Sequence, residues 1–481
     1  MPDRLTSLRR ALDAHGQTHV LAFSDELSPE DRTALLEQIR SIDLAAVADL
    51  LRSHRHRRTA LPEGLEPAPF YPRADATPAE GAAAPPYDAA RYRAIGERLV
   101  TDGKVAAFTV AGGQGTRLGW NGPKGTYPAT PVTGKPLFRL LAEQIMAAQK
   151  KYRVTIPWYL MTSPENDAPT RAFFLDNNCF GLTRSNVFMF PQGTMPSVDG
   201  ASGRLLLAGP GEIAVSPDGH GGAIKALAGS GALEDMRDRG VEQISYFQVD
   251  NPLVRVIDPL FLGLHAAAPD SSGEMSSKMV GKTDPEEKLG VLARAGGRTM
   301  VIEYSELPDE LARARDDAGA LRFCAGSIAV HLLAAAFVER LTGSEERMAL
   351  PYHCALKKVA HLDPESGRRV EPEEPNAIKF ETFVFDALPR AASSIVYEVG
   401  RVEEFAPIKN ARGADSPATS HALQTARAAR WLEAHGVHVP RDGAGEVAAR
   451  IEIGPLTATE PADLVAVDLP AEIVPGQELA L

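Results

Sequence analysis

Glycines surround two basic side chains in the stretch VAGGQGTRLGWNGPKGTYP, residues 110–128, which directly follows a short apolar run. Glycines let backbone N–H groups approach an anion closely, and Arg117 and Lys124 can neutralise the charge of a polyphosphate. The Walker A motif does not fit, because Gly125 follows the lysine instead of preceding it. The dinucleotide fingerprint also fails, because Leu118 stands where its third glycine belongs. The stretch alone predicts phosphate binding, with a plain glycine turn as the alternative.

The bulk composition is typical of a cytoplasmic globular protein of two or three domains, with 481 residues, 44% hydrophobic and 24% charged. We expect neither a membrane partner nor secretion, because no long apolar run and no apolar signal core are found. With 51 basic and 63 acidic residues the net charge is −12, which argues against nucleic-acid binding. The three cysteines lie far apart and predict reduced thiols.

Apolar periodicity predicts the elements that must position this stretch. Leucines at helical spacing predict N-terminal helices, one of them starting at Ser28-Pro29, and a Pro- and Ala-rich linker follows over residues 67–88. From about residue 95, strands and helices alternate, which predicts a mostly parallel sheet covered on both faces. The predicted strands cover 105–110, 158–161, 187–190, 243–249, 290–294 and 299–304, and the predicted helices cover 136–152, 170–178, 222–240, 259–268 and 420–435.

The last two of these strands flank Ala295-Gly296-Gly297-Arg298 and predict a hairpin. Short β-like pieces follow near the C-terminus, at 447–454 and 462–469. We therefore divide the chain into an N-terminal helical region and linker, a catalytic domain and a small C-terminal domain. These predicted domains cover residues 1–95, 96–405 and 406–481.

Further motifs follow the glycine stretch in order. They are AGGQGTRLG, PKG, WYLMTS, FPQGTMP, SPDGHGG, VDNPLVRVIDP, GVLARAGGRTMVIEYSEL, FCAGSIAVH, PNAIKFETFVFD, VYEVGRVEEFAPIKNA and DSPATSHAL. With them, residues 90–425 resemble the eukaryotic-type UDP-N-acetylglucosamine pyrophosphorylases of the UDP-sugar pyrophosphorylase (UDPGP) family. The resemblance implies an α/β, Rossmann-like (GT-A-like) nucleotidyltransferase fold, with a mixed sheet flanked by helices. It also implies that UTP and a sugar 1-phosphate, most simply N-acetylglucosamine 1-phosphate, give UDP-sugar and pyrophosphate.

This reaction depends on placement and charge. Near pH 7 a sugar phosphate is mostly dianionic, because its second pKa is about 6, and it needs no general base. The protein must hold the reactants in line and supply positive charge for the pentavalent phosphorus and the departing pyrophosphate. Arg117 and Lys124 suit this task, and the resemblance adds Lys409 in PIKN as a third catalytic candidate.

The resemblance also assigns the other candidate site residues. Asp250, at the end of QISYFQVD, is the candidate ligand of Mg²⁺, the expected cofactor, and a turn cap is the alternative. Asp258 is expected to cap the next helix. The substrate-binding candidates are Gly112 and Gly113 in the loop, Gln192 and Gly219 at uracil, His220, Gly290, Glu303 and Ser327 at the sugar, and Lys379 at the phosphates.

Two of these positions depart from the family pattern. His220 in PDGHGG and Ser327 in CAGS stand where the family commonly has asparagine, which changes the sugar groups that can be paired. A glucose 1-phosphate or broad-specificity uridylyltransferase therefore stays open as an alternative, as does a non-catalytic UDP-sugar sensor. The expected partners are UTP and a sugar 1-phosphate, with the chain a monomer or homodimer.

Overall fold

The structure is a computed structural model that describes residues 2–56, 61–74, 87–343 and 350–481. Its residues form two compact units, the first made of Met1–Ala60, Gln192–Ala223 and Ala349–Asp386, and the second of Leu61–Pro191, Ile224–Met348 and Ala387–Leu481. Residues 75–86 of the predicted linker lie outside the described residues. The predicted domain boundaries near residues 95 and 405 stay predictions.

The helices and strands of the described residues are numbered in chain order. The helices are Pro2–Ala14 (α1), Pro29–Ser41 (α2), Leu44–His56 (α3), Ala89–Thr101 (α4), Leu137–Tyr152 (α5), Pro164–Asp176 (α6), Gly222–Gly229 (α7), Ala232–Asp238 (α8), Pro259–Ala267 (α9), Asp309–Arg313 (α10), Ala335–Gly343 (α11), Arg401–Glu404 (α12) and Pro417–Ala434 (α13). The strands are Glu66–Pro67 (β1), Val105–Val110 (β2), Trp158–Thr162 (β3), Val187–Pro191 (β4), Thr194–Pro196 (β5), Val198–Asp199 (β6), Leu207–Gly209 (β7), Glu212–Ile213 (β8), Val215–Pro217 (β9), Gln243–Gln248 (β10), Met275–Gly281 (β11), Val291–Ala295 (β12), Arg298–Ile302 (β13), Ala325–Ala334 (β14), Tyr352–Lys357 (β15), His361–Leu362 (β16), Arg369–Val370 (β17), Ala377–Thr382 (β18), Val396–Glu398 (β19), Arg450–Glu452 (β20) and Glu478–Ala480 (β21). None of the described helices is both long and apolar enough to cross a membrane.

A mixed sheet of ten strands, counted over the described residues, forms the centre of the second unit. Its main path runs β1-β12-β14-β10-β2-β3-β4, and β11, β13 and β19 pair alongside. Strands β10, β2, β3 and β4 are parallel, whereas β14 runs antiparallel to β10. Strands β2, β3 and β10 are almost continuously buried, as expected when helices cover both faces, whereas β4 at the end of the path is mostly half-buried. Their carboxyl ends therefore share one edge of the sheet.

Two glycines allow α4 and α9 to pack with their backbones in contact. A Cβ on Gly96 would overlap the Pro259 carbonyl oxygen, and a Cβ on Gly263 would overlap the carbonyl oxygen of Tyr92. Asp258 caps α9, because its side chain accepts hydrogen bonds from the N–H groups of Leu260 and Phe261 at 3.1 and 3.3 Å. The predicted cap at Asp258 is therefore confirmed.

A fully buried lysine lies in the middle of β11. The Lys278 ammonium is 2.7 Å from an Asp258 carboxylate oxygen and 2.6 Å from one of Glu404 in α12. Nearby Lys278 and Arg255 hold the pKa of Asp258 at about 2 despite its burial. The buried charges thus join a strand, a helix cap and the short helix α12.

The first unit has smaller sheets and the N-terminal helices. Its sheets are β15-β18-β6, β17-β16-β7-β8 and β5-β9. Apolar residues of α1 to α3, such as Leu35 and Ile39, form one core with residues of β6, β7 and β18, such as Phe380. The N-terminal helices therefore belong to a core that is completed by later chain segments.

Most predicted elements are confirmed, and three were wrong. The predicted helix 222–240 is divided, because Gly231 takes a left-handed φ of 84° between α7 and α8. The helix predicted from residue 170 begins at Pro164, because the Ser163 side chain caps it, and the interior Pro169 is tolerated. The β-like piece 462–469 contains instead the tight helical turn Pro461–Ala466.

We expect Gly263→Ala to lower the free energy of unfolding by about 1–3 kcal/mol, because the added methyl group forces α4 and α9 apart. Urea unfolding measures this change. Gly229→Ala is the matched control, because a Cβ there meets nothing within 4 Å. Equal stability of the two variants would contradict the close helix contact.

Candidate functional site

The glycine stretch forms a cradle at the carboxyl end of β2. The side-chain amide of Asn166, in α6, donates hydrogen bonds to the carbonyl oxygens of both Gly112 (2.8 Å) and Gly113 (3.0 Å). The N–H groups of Gly112, Gly113 and Gln114 find no acceptor in the part of the chain that the structure describes. Adjacent N–H groups without protein acceptors suit an anionic ligand, as predicted for this loop.

The rest of the loop returns to place Lys124 beside the cradle. The Lys124 N–H donates to the Gly113 carbonyl oxygen at 3.0 Å, and the Gly115 N–H donates to that of Gly122 at 2.9 Å. Gly125 lies directly on the Phe138 ring, where no Cβ fits. The PKG motif therefore fixes the backbone of the lysine by close packing.

Lys124 and Asp250 form an ion pair at this edge of the sheet. The Lys124 Nζ lies 3.3 Å from an Asp250 carboxylate oxygen, and their side chains are only 16% and 12% exposed. Asp250 follows β10, the parallel neighbour of β2, so both residues lie beyond carboxyl ends of adjacent strands. The Ile408 N–H donates to the Asp250 carbonyl oxygen at 2.9 Å, which brings the adjoining Lys409 to the same edge.

The remaining cations at this edge differ in their surroundings. Lys409 lies 3.8 Å from an Asp415 carboxylate oxygen, and its ammonium is 5.8 Å from the centre of the Phe405 ring. Arg117 is exposed and makes no ion pair within the described ranges. Arg117 is therefore available to a ligand. Lys409 would have to give up its distant contact with the Asp415 carboxylate to bind a ligand.

Asp250 fits the donor that a hydrated Mg²⁺ requires. The residue is 8% exposed, and Lys124 is the partner of one carboxylate oxygen, which leaves the other oxygen available among the described residues. No group of three or more His, Cys, Asp or Glu residues suited to a metal is found in the described chain. A phosphate-bridging Mg²⁺ needs only one or two carboxylates, so Asp250 alone is compatible with it.

The hairpin β12-β13 and strand β14 bring three predicted sugar-facing residues close together. They are Gly290, Glu303 and Ser327. The Ser327 N–H donates to the Gly290 carbonyl oxygen at 2.8 Å. A Cβ on Gly290 would lie 3.3 Å from a Glu303 carboxylate oxygen, so only glycine leaves room there. Because β14 is antiparallel to β10 and pairs His331 with Tyr246, Ser327 lies at the same sheet edge as Asp250.

Sequence reasoning missed Lys282, which lies beside this group. Lys282 is 6% exposed, its N–H donates to the Cys324 carbonyl oxygen at 2.8 Å, and its side chain packs against Gly326. Within the described residues its ammonium has no hydrogen-bond or ion-pair partner, and burial lowers its pKa. One sign of this site residue is present in the sequence: Lys282 is a lysine two positions after Val280, beside an apolar strand.

The other candidates belong to the first unit, where Gln192 and Gly219 are close together. The Asp218 N–H donates to the Gly193 carbonyl oxygen at 3.1 Å, which joins their two loops. Gln192 is 7% exposed, and its amide has no partner among the described residues. Gly219 has a φ of 83°, and a Cβ there would overlap the Thr382 carbonyl oxygen. Gln192 thus supplies a buried amide without a partner among the described residues, and Gly219 supplies a backbone conformation that only glycine allows.

His220 is held as a neutral ring. Its Nδ1 accepts a hydrogen bond from the Val384 N–H at 3.2 Å, so the proton lies on Nε2. The ring stacks on Phe383 at 5.2 Å, and His353 contacts the same phenylalanine while pairing with Asp386 at 2.9 Å. Burial, with the charge of His353, lowers the pKa of His220 to about 4. The donor of the His220 ring is therefore its Nε2–H.

Lys379 lies on β18 of the first unit, three residues before Thr382. It is half-buried, and its ammonium has no ion-pair partner in the described ranges. Thr382 of the same strand lies against Gly219, and the role of Lys379 at the phosphates stays a prediction.

The fold is that of a nucleotidyltransferase, as similar solved structures show. The UDP-N-acetylglucosamine pyrophosphorylase of Trypanosoma brucei matches with a TM-score of 0.80 and 27% identity over 98% of both chains. A putative UDP-N-acetylglucosamine pyrophosphorylase of Entamoeba histolytica matches with a TM-score of 0.71 and 31% identity, over 82% of this chain and 95% of that one. The predicted fold class is confirmed.

The chain belongs to the UTP–glucose-1-phosphate uridylyltransferase (UDPGP) family, whose model matches residues 83–440. UDP-N-acetylhexosamine pyrophosphorylase-like protein 1 of Homo sapiens is 38% identical over 477 residues, covering 94% of this chain and 92% of the relative. UDP-N-acetylglucosamine pyrophosphorylase of Saccharomyces cerevisiae is 34% identical over 454 residues, covering 91% and 93%. The predicted family, and the predicted enzyme class of uridylyltransferases, are thereby confirmed.

We expect His220→Asn to reduce the acid sensitivity of the protein. Because the folded pKa of about 4 lies below the usual 6.5, the unfolded chain binds more protons between these values, and stability falls as pH drops through that window. The contribution amounts to as much as about 3 kcal/mol, at about 1.4 kcal/mol per pKa unit.

Urea unfolding of both proteins at pH 7 and pH 4.5 measures this effect. The exposed His438, changed to Asn, serves as the control and should retain the wild-type difference. The same acid sensitivity in His220→Asn and wild type would mean that the ring is not held neutral.

Proposed function

We propose that this protein makes UDP-N-acetylglucosamine and pyrophosphate from UTP and N-acetylglucosamine 1-phosphate. The observation that carries the proposal is the cradle of acceptor-free N–H groups beside the Lys124–Asp250 ion pair, in a chain whose relatives carry this activity in their names. Magnesium dependence and the use of UTP are parts of the same proposal.

The residues of the cradle would hold the triphosphate. The N–H groups of Gly112 and Gly113 can bind phosphate oxygens, and the exposed Arg117 can add a guanidinium. Gln192 and the backbone at Gly219 would pair with the uracil edge, since an amide matches its neighbouring donor and acceptor. The cradle contacts would orient the α-phosphorus without taking part in bond making.

Uridylyl transfer is then a single displacement. A phosphate oxygen of the sugar 1-phosphate forms a bond to the α-phosphorus of UTP, and the bond from that phosphorus to the bridging β-phosphate oxygen breaks. The electron pair leaves with pyrophosphate. Lys124 and Lys409 would stabilise the charge on the five-coordinate phosphorus and on the leaving group, the usual largest contribution in such sites.

Asp250 would hold Mg²⁺ through its available carboxylate oxygen. A bound Mg²⁺ would neutralise phosphate charge. With Asp250 engaged in that way, Lys124 would be free to contact phosphate. Without substrate, the ion pair holds the lysine and the carboxylate in place.

The sugar would lie near Gly290, Glu303 and Ser327, which the structure brings together. The Glu303 carboxylate can accept hydrogen bonds from sugar hydroxyls, and the Ser327 hydroxyl can donate or accept. Lys282, which packs against Gly326 and has no hydrogen-bond or ion-pair partner among the described residues, could meet the phosphate of the sugar. The acetamido group is proposed from the names of the relatives.

Pyrophosphate release with UTP, Mg²⁺ and a panel of sugar 1-phosphates tests the proposal. We expect N-acetylglucosamine 1-phosphate to give a kcat/KM at least about tenfold above that of glucose 1-phosphate. Equal or faster turnover of glucose 1-phosphate would overturn the sugar assignment. Binding of UDP-sugar without turnover of any sugar phosphate would overturn the enzyme proposal.

We expect Asp250→Asn to lower kcat by about 10²-fold or more while the melting temperature stays near that of wild type. The reason is that the amide keeps the volume but loses the charge that holds Mg²⁺ and Lys124. Asp176→Asn, an exposed position at the end of α6, is the control. Undiminished Mg²⁺-dependent activity of Asp250→Asn would show that the metal is bound elsewhere.

A further inference from the structure

A cavity of about 340 Å³ lies in the second unit, away from the cradle residues. Its wall is built from the segment 253–255, the end of β19, α12, α13 and the turn at Glu460. None of the residues predicted from the sequence to bind substrate lines it. Arginine and glutamate side chains line the cavity.

The carboxylates of the wall already have cationic partners. Glu460 pairs with Arg93 at 3.0 Å, Lys151 at 2.5 Å and Arg255 at 3.1 Å. Glu404 pairs with the buried Lys278, and Glu403 pairs with Arg430 and accepts a hydrogen bond from the Trp431 indole at 3.0 Å. No carboxylate of the wall is left for a further cation.

Arg427 is a cation of the cavity wall that has no carboxylate partner among the described residues. Its guanidinium lies 4.9 Å from the centre of the Trp431 ring and donates one long hydrogen bond, 3.4 Å, to the Glu403 carbonyl oxygen. In the described residues no carboxylate is within ion-pair distance of it. Burial, with the charge of Arg255, lowers the pKa of Arg427 to about 10, so the side chain stays charged at neutral pH.

Tyr397 adds a second unused donor. The residue is 6% exposed, its ring stacks on Phe261 at 5.9 Å, and it lines the cavity. Its hydroxyl has no hydrogen-bond partner among the described residues. A donor at a cavity wall that lacks a partner among the described residues can be completed by a ligand or by solvent.

We propose that this cavity binds a small phosphorylated sugar, with the phosphate monoester at Arg427 and Tyr397. A guanidinium and a hydroxyl both donate to phosphate oxygens, and the carboxylates of Glu403 and Glu460 can accept from sugar hydroxyls. The cavity volume suits a molecule larger than inorganic phosphate. The inference does not depend on the proposed reaction.

Isothermal calorimetry with the full chain and glucose 6-phosphate tests the site, with glucose as the uncharged comparison. We expect glucose 6-phosphate, and not glucose, to bind. Arg427→Gln and Tyr397→Phe should each weaken this binding by about tenfold or more, because each removes a donor to a charged group. Arg441→Gln, a charge loss at the exposed Glu433 pair, should bind as wild type does.

Lys124→Ala distinguishes this cavity from the cradle and should leave the binding unchanged. Tyr397→Phe removes one oxygen atom only, so it carries the test if Arg427→Gln does not fold. Absence of binding to wild type, or unchanged affinity in Tyr397→Phe and Arg427→Gln, would overturn the proposal. Loss of binding in Lys124→Ala with retention in Tyr397→Phe would overturn it as well.

Discussion

The buried charge of Lys278 is the constraint on which much of the second unit depends. An isolated ammonium in the middle of a buried strand would cost several kcal/mol, so partners must reach it. The two that do, Asp258 and Glu404, come from a helix cap and from α12. Their positions fix where α9 begins and where the chain turns towards Lys409.

The same constraint extends to the candidate catalytic edge through Asn251. Its side chain donates to the Glu404 carbonyl oxygen at 2.6 Å and accepts from the Ala406 N–H at 3.0 Å. Asp250 precedes Asn251, and Lys409 follows within a few residues of Ala406. The ion cluster at Lys278 and the Lys124–Asp250 ion pair are therefore connected through the hydrogen bonds of Asn251.

Sequence patterns predicted six of the ten strands of the second unit's main sheet, because these strands are short apolar runs between turn residues, and missed β1, β11, β14 and β19. The pattern failed where a local signal was outweighed: Gly231 divides a continuous apolar periodicity, and the Ser163 cap starts α6 ahead of Pro169. The small sheets of the first unit were not predicted, because β6 has only two residues and its partner β18 is distant in sequence. Site residues in motifs could be found from the sequence, whereas Asn166 and Lys282 could not, because only the fold brings them to the motif residues.

The Asn166 side chain binds the carbonyl oxygens of the glycine loop and not the N–H groups of that loop. Tethering Gly112 and Gly113 on that side orients their N–H groups away from the anchor before any ligand arrives. The entropy of ordering a flexible glycine loop is then lost during folding and not during binding. A loop whose sequence suggests mobility is thus held in one conformation by an amide, and an anion at its N–H groups would meet a backbone that is already ordered.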